Sequence, residues 1–307
     1  QWNKRTRSGF HKAIEYLGRA VDLDANYSQA HAAIADCYNL LGAYDFMAPA
    51  DAQPKALAAA ERALRLDGNL AEAHEALAHV RMLYEWNWPE VERGYRDALV
   101  LNPDYATAHQ RQAIYFAAME RYDEARRAIL RASQLEPFSL IINTDVALIH
   151  MLRGEHEDAL RLCARALELD PHFTVGHFVL GLTQLAIGRP AEAVESHRKA
   201  MELSEGHTVY TTAYLHALAV AGRAEEARSG LRRLMERSDE STFSPYGIAT
   251  VHAGLNEDDA ALAMLSRAVE RRSVWLIHLH AAIDVRLASV RRLDGYANLR
   301  LRMGFPR

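Results

Sequence analysis

The sequence predicts an all-α fold: a right-handed superhelix of about eight helix pairs, ended by a helical C-terminal cap. Three observations carry that prediction. Alanine recurs at a constant step of 34 residues, at Ala125, Ala159, Ala193 and Ala227; a second set, Ala132, Ala166 and Ala200, keeps the step seven residues later; Pro103, Pro137 and Pro171 keep it again. Each position is set independently, so three sets of small or rigid residues in one register identify a true period. A period of this length specifies two-helix units stacked into a solenoid.

Within a unit the apolar spacing is helical. Leu160, Cys163, Ala166, Leu167 and Leu169 share one helix, which Asp170-Pro171 ends. In the unit beginning at Leu140, Val146, Ala147 and His150 mark the first helix, and Arg153-Gly154-Glu155 turns the chain into the second. Ala147 and Ala159 are small, which lets the two backbones approach.

Extended both ways, the register places a second helix at Ala13 to Ala20 and further units around Ala60, Tyr95, Ile129, Cys163, His197, Leu231 and Leu265. Three places break it. Ile34 to Ala56 spans 22 residues instead of 13, which reads as a long loop over "AYDFMAPADAQP"; Leu77 to Val91 has one extra residue near "YEWNWPE"; and "MERSDESTFSPYG" stretches the junction before the last unit. The array is expected over residues 1–272, with its first unit cut at Trp2, and residues 273–307 are expected to cap the last unit, whose apolar end would otherwise face water.

The segments 60–78, 122–139 and 156–173 closely resemble the tetratricopeptide repeat (TPR), with apolar residues early in the first helix, alanines in the second and a proline after it. The resemblance implies a right-handed α-solenoid that binds protein or peptide in a concave groove. That groove is lined by places two, five, nine and twelve of each first helix. Here those places hold Gln29, Ala32 and Asp36, then Glu72, Glu75 and His79, then Thr107, Gln110 and Ile114. The Lys, Asn and Arg with which some members clamp a terminal carboxylate are absent, and Asp36, Glu72 and Glu75 would repel one. The opening 2–24 and the tail motif "LRLRMGFP" also resemble the C-terminal repeat regions of bacterial signalling proteins. That similarity implies a scaffold or sensory region of a larger signalling or transcriptional regulator, with further chain before Gln1; a free-standing adaptor is the alternative.

Composition narrows the function by exclusion. The 307 residues are 50% hydrophobic and 25% charged, as in folded proteins, and the formal charge of −4 supplies no general attraction for nucleic acid or an anionic membrane. No membrane span or leader is legible, so a cytoplasmic setting is expected. Cys37 and Cys163 lack metal or disulfide spacing and read as small core residues. No HExxH, phosphate-binding glycine loop or nucleophile elbow occurs, so neither an enzyme nor a cofactor is expected.

Fifteen histidines invite a metal or small-ligand alternative. However, His31, His74, His109 and His177 recur at the fourth place of successive first helices, where a bulky packing residue is expected, and His278 and His280 point to different sides of a helix. The charge run Glu155-His156-Glu157-Asp158 reads as a solvated turn. Arginine clusters at Arg126, Arg127 and Arg131, at Arg228, Arg232 and Arg233, and at Arg286, Arg291, Arg292, Arg300 and Arg302 read as solvated outer faces.

The expected partner site is apolar. Groove positions change character at Ile141, Leu148 and Met151, then Val175, Phe178, Leu182 and Leu185, with Val209 next. The helix from Val175 to Ile187 is apolar almost all round, and such a helix is normally covered. Neighbouring repeats, the C-terminal cap or a second copy of the chain would cover it. Otherwise it forms a groove for an amphipathic helix or extended apolar segment of a protein partner, anchored on Phe178 and Leu182.

Overall fold

The computed structural model describes residues 7–44, 46–237, 244–278 and 284–305. Among them, helix α1 (Arg7–Leu23) precedes seven helix pairs: α2 (Ser28–Ala43) with α3 (Pro49–Leu66), α4 (Ala71–Val80) with α5 (Trp88–Leu101), α6 (Ala106–Ala118) with α7 (Tyr122–Leu135), and α8 (Leu140–Leu152) with α9 (His156–Leu169). The series continues through α10 (Thr174–Ala186) with α11 (Pro190–Leu203), α12 (Thr208–Val220) with α13 (Ala224–Arg237), and α14 (Pro245–Gly254) with α15 (Asp258–Glu270). Even-numbered helices up to α14 are the first helices of their units.

The period is visible in both packing and backbone. Ala125, Ala159, Ala193, Ala227 and Ala261 are all 0% exposed, each at the seam where two helices of a unit meet. A left-handed residue recurs at the same step where first helix turns into second: Trp86, Glu120, Gly154, Gly188, Gly222 and Asn256 all have positive φ. Glycine adopts that conformation without a Cβ clash, which is why the turn so often selects it.

Two irregular units resolve differently. The extra residue between Leu77 and Val91 is absorbed as a π-helical turn, Arg81–Glu85, closed by the Trp86 N–H donating to the Arg81 carbonyl at 2.7 Å. The second unit runs 43 residues from Ser28 to Ala71, against 34 from Ala106 to Leu140, yet the expected long loop is only residues 44–48. The insertion lengthens the helices instead: α3 has 18 residues and carries Pro49 at its start and Pro54 inside. Pro49 needs no helical N–H donor there, and Ala52, Gln53 and Ala56 bury a face that holds the helix together past Pro54. Within the stretched junction before the last unit, residues 238–243 lie outside the described residues; Ser244 caps α14 through the Gly247 N–H.

After α15 the chain forms short 3₁₀ turns (Val274–His278, Val285–Leu287, Val290–Arg292) and then α16 (Asp294–Arg302). This tail does more than cover α15. The Trp88 ring stacks on Phe305 at 4.5 Å, and Arg272 lies over the rings of Tyr84 and Trp86. One continuous apolar core therefore joins Tyr95 and Ile129 of the middle units to Tyr246, Leu276, Leu299 and Met303. A second contact joins distant units: the His207 Nε2–H donates to the Tyr44 carbonyl, and Phe46 packs edge-on against the imidazole at 5.1 Å. The superhelix thus comes round on itself.

Candidate partner-binding cavity

Inside this turn lies a cavity of about 610 Å³. Its walls are the inward faces of six successive first helices, α2 to α12, together with the tail. Five expected groove residues, Ile141, Leu148, Val175, Phe178 and Leu182, line it. The other three lie elsewhere. Met151 is buried between helices with Ala147 and Cys163, Leu185 packs toward Leu215 and Leu218, and Val209 is 6% exposed within α12. Met151 and Leu185 sit in the last turn of their helices, where the side chains meet neighbouring helices rather than the interior.

The apolar wall is partly made by the tail, which the repeat register did not place there. Trp275 approaches Phe178 with ring centroids 6.4 Å apart, and the Arg286 guanidinium stands 5.6 Å over the same ring. Tyr210 closes the side of Phe178 at 5.6 Å. Arg286 therefore does not belong to a solvated outer face. It donates two hydrogen bonds to Asp284, at 2.7 and 2.8 Å, and Asp284 also accepts from the Tyr246 hydroxyl at 2.9 Å. Burial alone would raise the Asp284 pKa, but the charge and hydrogen bonds of Arg286 outweigh it and hold the carboxyl below its ordinary range.

The opposite end is polar. Asp36 (α2), His79 (α4), Thr107, Gln110 and Ile114 (α6) all line the cavity, as the groove register expects. Arg111, one place beyond that register, was not expected. Its Nη1 lies 2.6 Å from Asp36 and 2.7 Å from Glu75, so the acidic entry is a buried three-way cluster. Burial pushes the Glu75 carboxyl up to about 7, against the pull of Arg111 and with Asp36 adding to the rise. A sequence signal existed: one arginine facing two carboxylates from the two preceding units, Glu75 36 residues and Asp36 75 residues before it. On α8, Asp145 accepts from the Gln110 amide at 2.6 Å.

The histidines take structural roles. His74, His109 and His177 each bond through Nε2 to the carbonyl six residues earlier at 2.9 Å, and His31 does so at 3.3 Å. Asn143 makes the same bond in its own unit at 3.0 Å. These side chains tie each first helix to the turn before it, rather than simply packing as expected. His280 lies outside the described residues. The donor atoms of His150, Glu155 and Asp158 fall within 4.8 Å of one another, but Arg153 pairs with Glu155 at 3.0 Å and Arg161 with Asp158 at 2.6 Å. Both carboxylates already have a cation. Cys37 and Cys163 are buried, and burial pushes both thiols up to about 12, so they are inert at neutral pH. Among the described residues no helix is long and apolar enough to cross a membrane.

No family model matches the chain, and no curated protein matches it. Solved structures do. A human IFIT1 dimer with m7Gppp-AAAA aligns over 94% of this chain and 68% of its own, at 15% identity and a TM-score of 0.64. TTC0263, a TPR protein of Thermus thermophilus, aligns over 55% of this chain and 92% of its own, at 20% identity and TM-score 0.51. PilW, a type IV pilus biogenesis factor, aligns over 68% of this chain and 96% of its own, at 18% identity and TM-score 0.52. Likeness at these identities establishes the fold, a TPR-type α-solenoid.

Proposed function

We propose that this chain is a protein-interaction module that holds a short extended segment of a partner protein in the cavity, as the sensory or regulatory region of a larger bacterial signalling or transcriptional regulator. The cavity carries the reading: about 610 Å³ is within the usual range of ligand sites, and its walls come from successive units as in a concave solenoid groove. A cavity of this volume is of ligand size, so a few residues of a partner with their side chains fill it.

Phe178 and Leu182 remain the anchors in this reading, flanked by Val175 and Leu148. The likeness to IFIT1 does not transfer its ligand. An anion such as m7Gppp-AAAA would meet a lining that holds Asp36, Glu136, Asp145 and Asp284, whose arginines are already paired. The regulator context rests on the resemblance of the opening and the tail.

Val175 is half-buried and on the wall, so Val175→Trp should fill the cavity without disturbing the repeat seams. Peptides selected for binding to the wild type should lose affinity for this variant while its circular dichroism and melting temperature stay unchanged. Equal binding to both proteins would remove the cavity from the function.

A further inference from the structure

We propose that the partner segment is uncharged, internal to its own chain and held by its backbone: a carbonyl oxygen accepts a hydrogen bond from Nη1 of Arg286 while a neighbouring apolar side chain rests on the Phe178 wall. This rests on the binding reading above and names what the cavity recognises. Arg286 lines the cavity and is 6% exposed. Its Nε and Nη2 both donate to Asp284, at 2.8 and 2.7 Å. Nη1 is the remaining corner of the fork. Among the described residues it has no hydrogen-bond partner, yet it is not one of the unpartnered polar atoms sealed inside the protein. The space open to it is the cavity that Arg286 lines. A guanidinium keeps its proton, so these N–H groups always donate. An occupant without an acceptor would strip water from them and return nothing, which disfavours a purely apolar ligand.

The donor is aimed before anything binds. Two bonds to Asp284, which the Tyr246 hydroxyl holds in turn at 2.9 Å, fix the plane of the planar fork, so little freedom is lost when an acceptor arrives. The guanidinium stands 5.6 Å from the centre of the Phe178 ring. Extended chain advances about 3.3 Å per residue, so one or two residues separate a carbonyl on Nη1 from a side chain on that ring. The pairing also sets the charge of the acceptor. Asp284 matches Arg286 one for one. At the polar end Arg111 meets Asp36 at 2.6 Å and Glu75 at 2.7 Å, all through Nη1, which leaves its Nε and Nη2 without a partner among the described residues. Both arginines therefore offer N–H donors whose charge is already met. A neutral backbone carbonyl suits them better than a carboxylate terminus or an acidic side chain. Main-chain bonds of this kind hold many sequences alike, and the side chain on Phe178 and Leu182 supplies the selectivity.

The test is fluorescence polarisation with labelled octapeptides, acetylated and amidated, that carry a Leu-Leu-Leu core between randomised flanks. Each core peptide bond is replaced in turn by an alkene, which removes carbonyl and N–H, or by an ester, which keeps a carbonyl and removes only the N–H. At one bond the alkene should weaken binding about tenfold, as expected for a hydrogen bond to a charged donor, while the ester stays within about threefold of the amide. Arg286→Met combined with Asp284→Asn removes the donor without stranding a carboxylate. In that double variant, with circular dichroism unchanged, the amide core should fall to the level of the alkene core at that bond; a persisting tenfold difference would overturn the assignment to Arg286. If the double variant does not fold, the comparison of alkene with ester on the wild type still decides. If alkene cores bind the wild type as tightly as the amide and Val175→Trp abolishes both, the backbone inference fails and the cavity reading stands. If peptides ending in a free carboxylate directly after the core bind more tightly than the amidated ones, the acceptor is a chain terminus and the inference is overturned. If Val175→Trp binds every core as well as wild type does, or none binds the wild type, both readings fail.

Discussion

Trp88 donates its indole N–H to the carbonyl oxygen of Met303 at 2.9 Å, across 215 residues of chain. Together with the Phe305 stack, this bond pins the tail to the third unit. Trp88 is 7% exposed, so Trp88→Ala removes a buried ring and leaves a void; the expected cost is about 3–5 kcal/mol. Denaturant unfolding measures that cost. Hydrogen exchange should show α16 losing protection while α8 and α9 keep theirs, whereas uniform loss across the array would contradict a local seam.

Arg111 makes a different kind of contribution. Arg111→Met strands Asp36 and Glu75 together in the interior, and losing one partner of a buried charge cluster costs about 3–5 kcal/mol. The penalty should be larger at alkaline than at acidic pH, where the carboxyls take up protons.

Glu75→Gln tests the same cluster from the other side. In the native protein Glu75 has a raised pKa of about 7, so it keeps its proton above the pH at which the unfolded chain loses it. Its contribution is full below about pH 4.5 and is lost as pH rises through 7. The groups facing it are Arg111, Asp36, Glu72, Tyr95 and Tyr105. Relative to wild type, Glu75→Gln should therefore gain stability as pH rises from about 5 to about 8. Thermal melts across that range check the sign.

His216 gives the opposite slope. Burial and the nearby Arg286 charge bring its pKa down to about 4 from an ordinary 6.5, while the hydrogen bond to the Thr250 carbonyl and the Asp284 charge oppose the lowering. The unfolded chain takes the proton first as pH falls, so the neutral His216 contributes fully above about 6.5 and loses on the order of 3 kcal/mol by pH 4. His216→Gln, which has no proton to gain, should flatten this part of the acid limb in a stability–pH profile.

The left-handed turns make a paired prediction. Gly188 has φ +73 with open space where an alanine methyl would stand, so Gly188→Ala should cost about 1–2 kcal/mol through backbone conformation alone. Gly18 lies inside α1, also with open space, and Gly18→Ala should stabilise by about 0.5–1 kcal/mol. Calorimetry on both variants checks that the signs differ.

The period was legible because packing between paired helices leaves no room for anything larger than alanine at Ala125, Ala159 and Ala193, so geometry is written as residue size. The concave register was legible for the same reason: Asp36, His79, Gln110, Ile114 and Val175 share one space, whereas Gln29, Ala32, Glu72 and Glu75 of the same register do not line it. What it could not supply were contacts made outside the period. Arg111 sits off-register, and its role depends on two other units. Arg286 looked like surface charge because nothing local shows that Asp284, Tyr246 and Phe178 would surround it. The additional residues of the second unit read as loop because two prolines punctuate them, although burial of Ala52 and Ala56 outweighs the break.

The contact between His207 and Tyr44 has a consequence for how this chain can vary. An open array tolerates gain or loss of a unit, since each unit answers only to its neighbours. Here the seventh unit must arrive opposite the second, and the tail opposite the third, so the number of units is fixed by angular phase. Deleting one 34-residue unit would preserve every local interface and still rotate the later units out of reach of Tyr44 and Trp88. For evolution and for engineering, the admissible change is therefore substitution within units, while the copy number is locked by the circumference it has to complete.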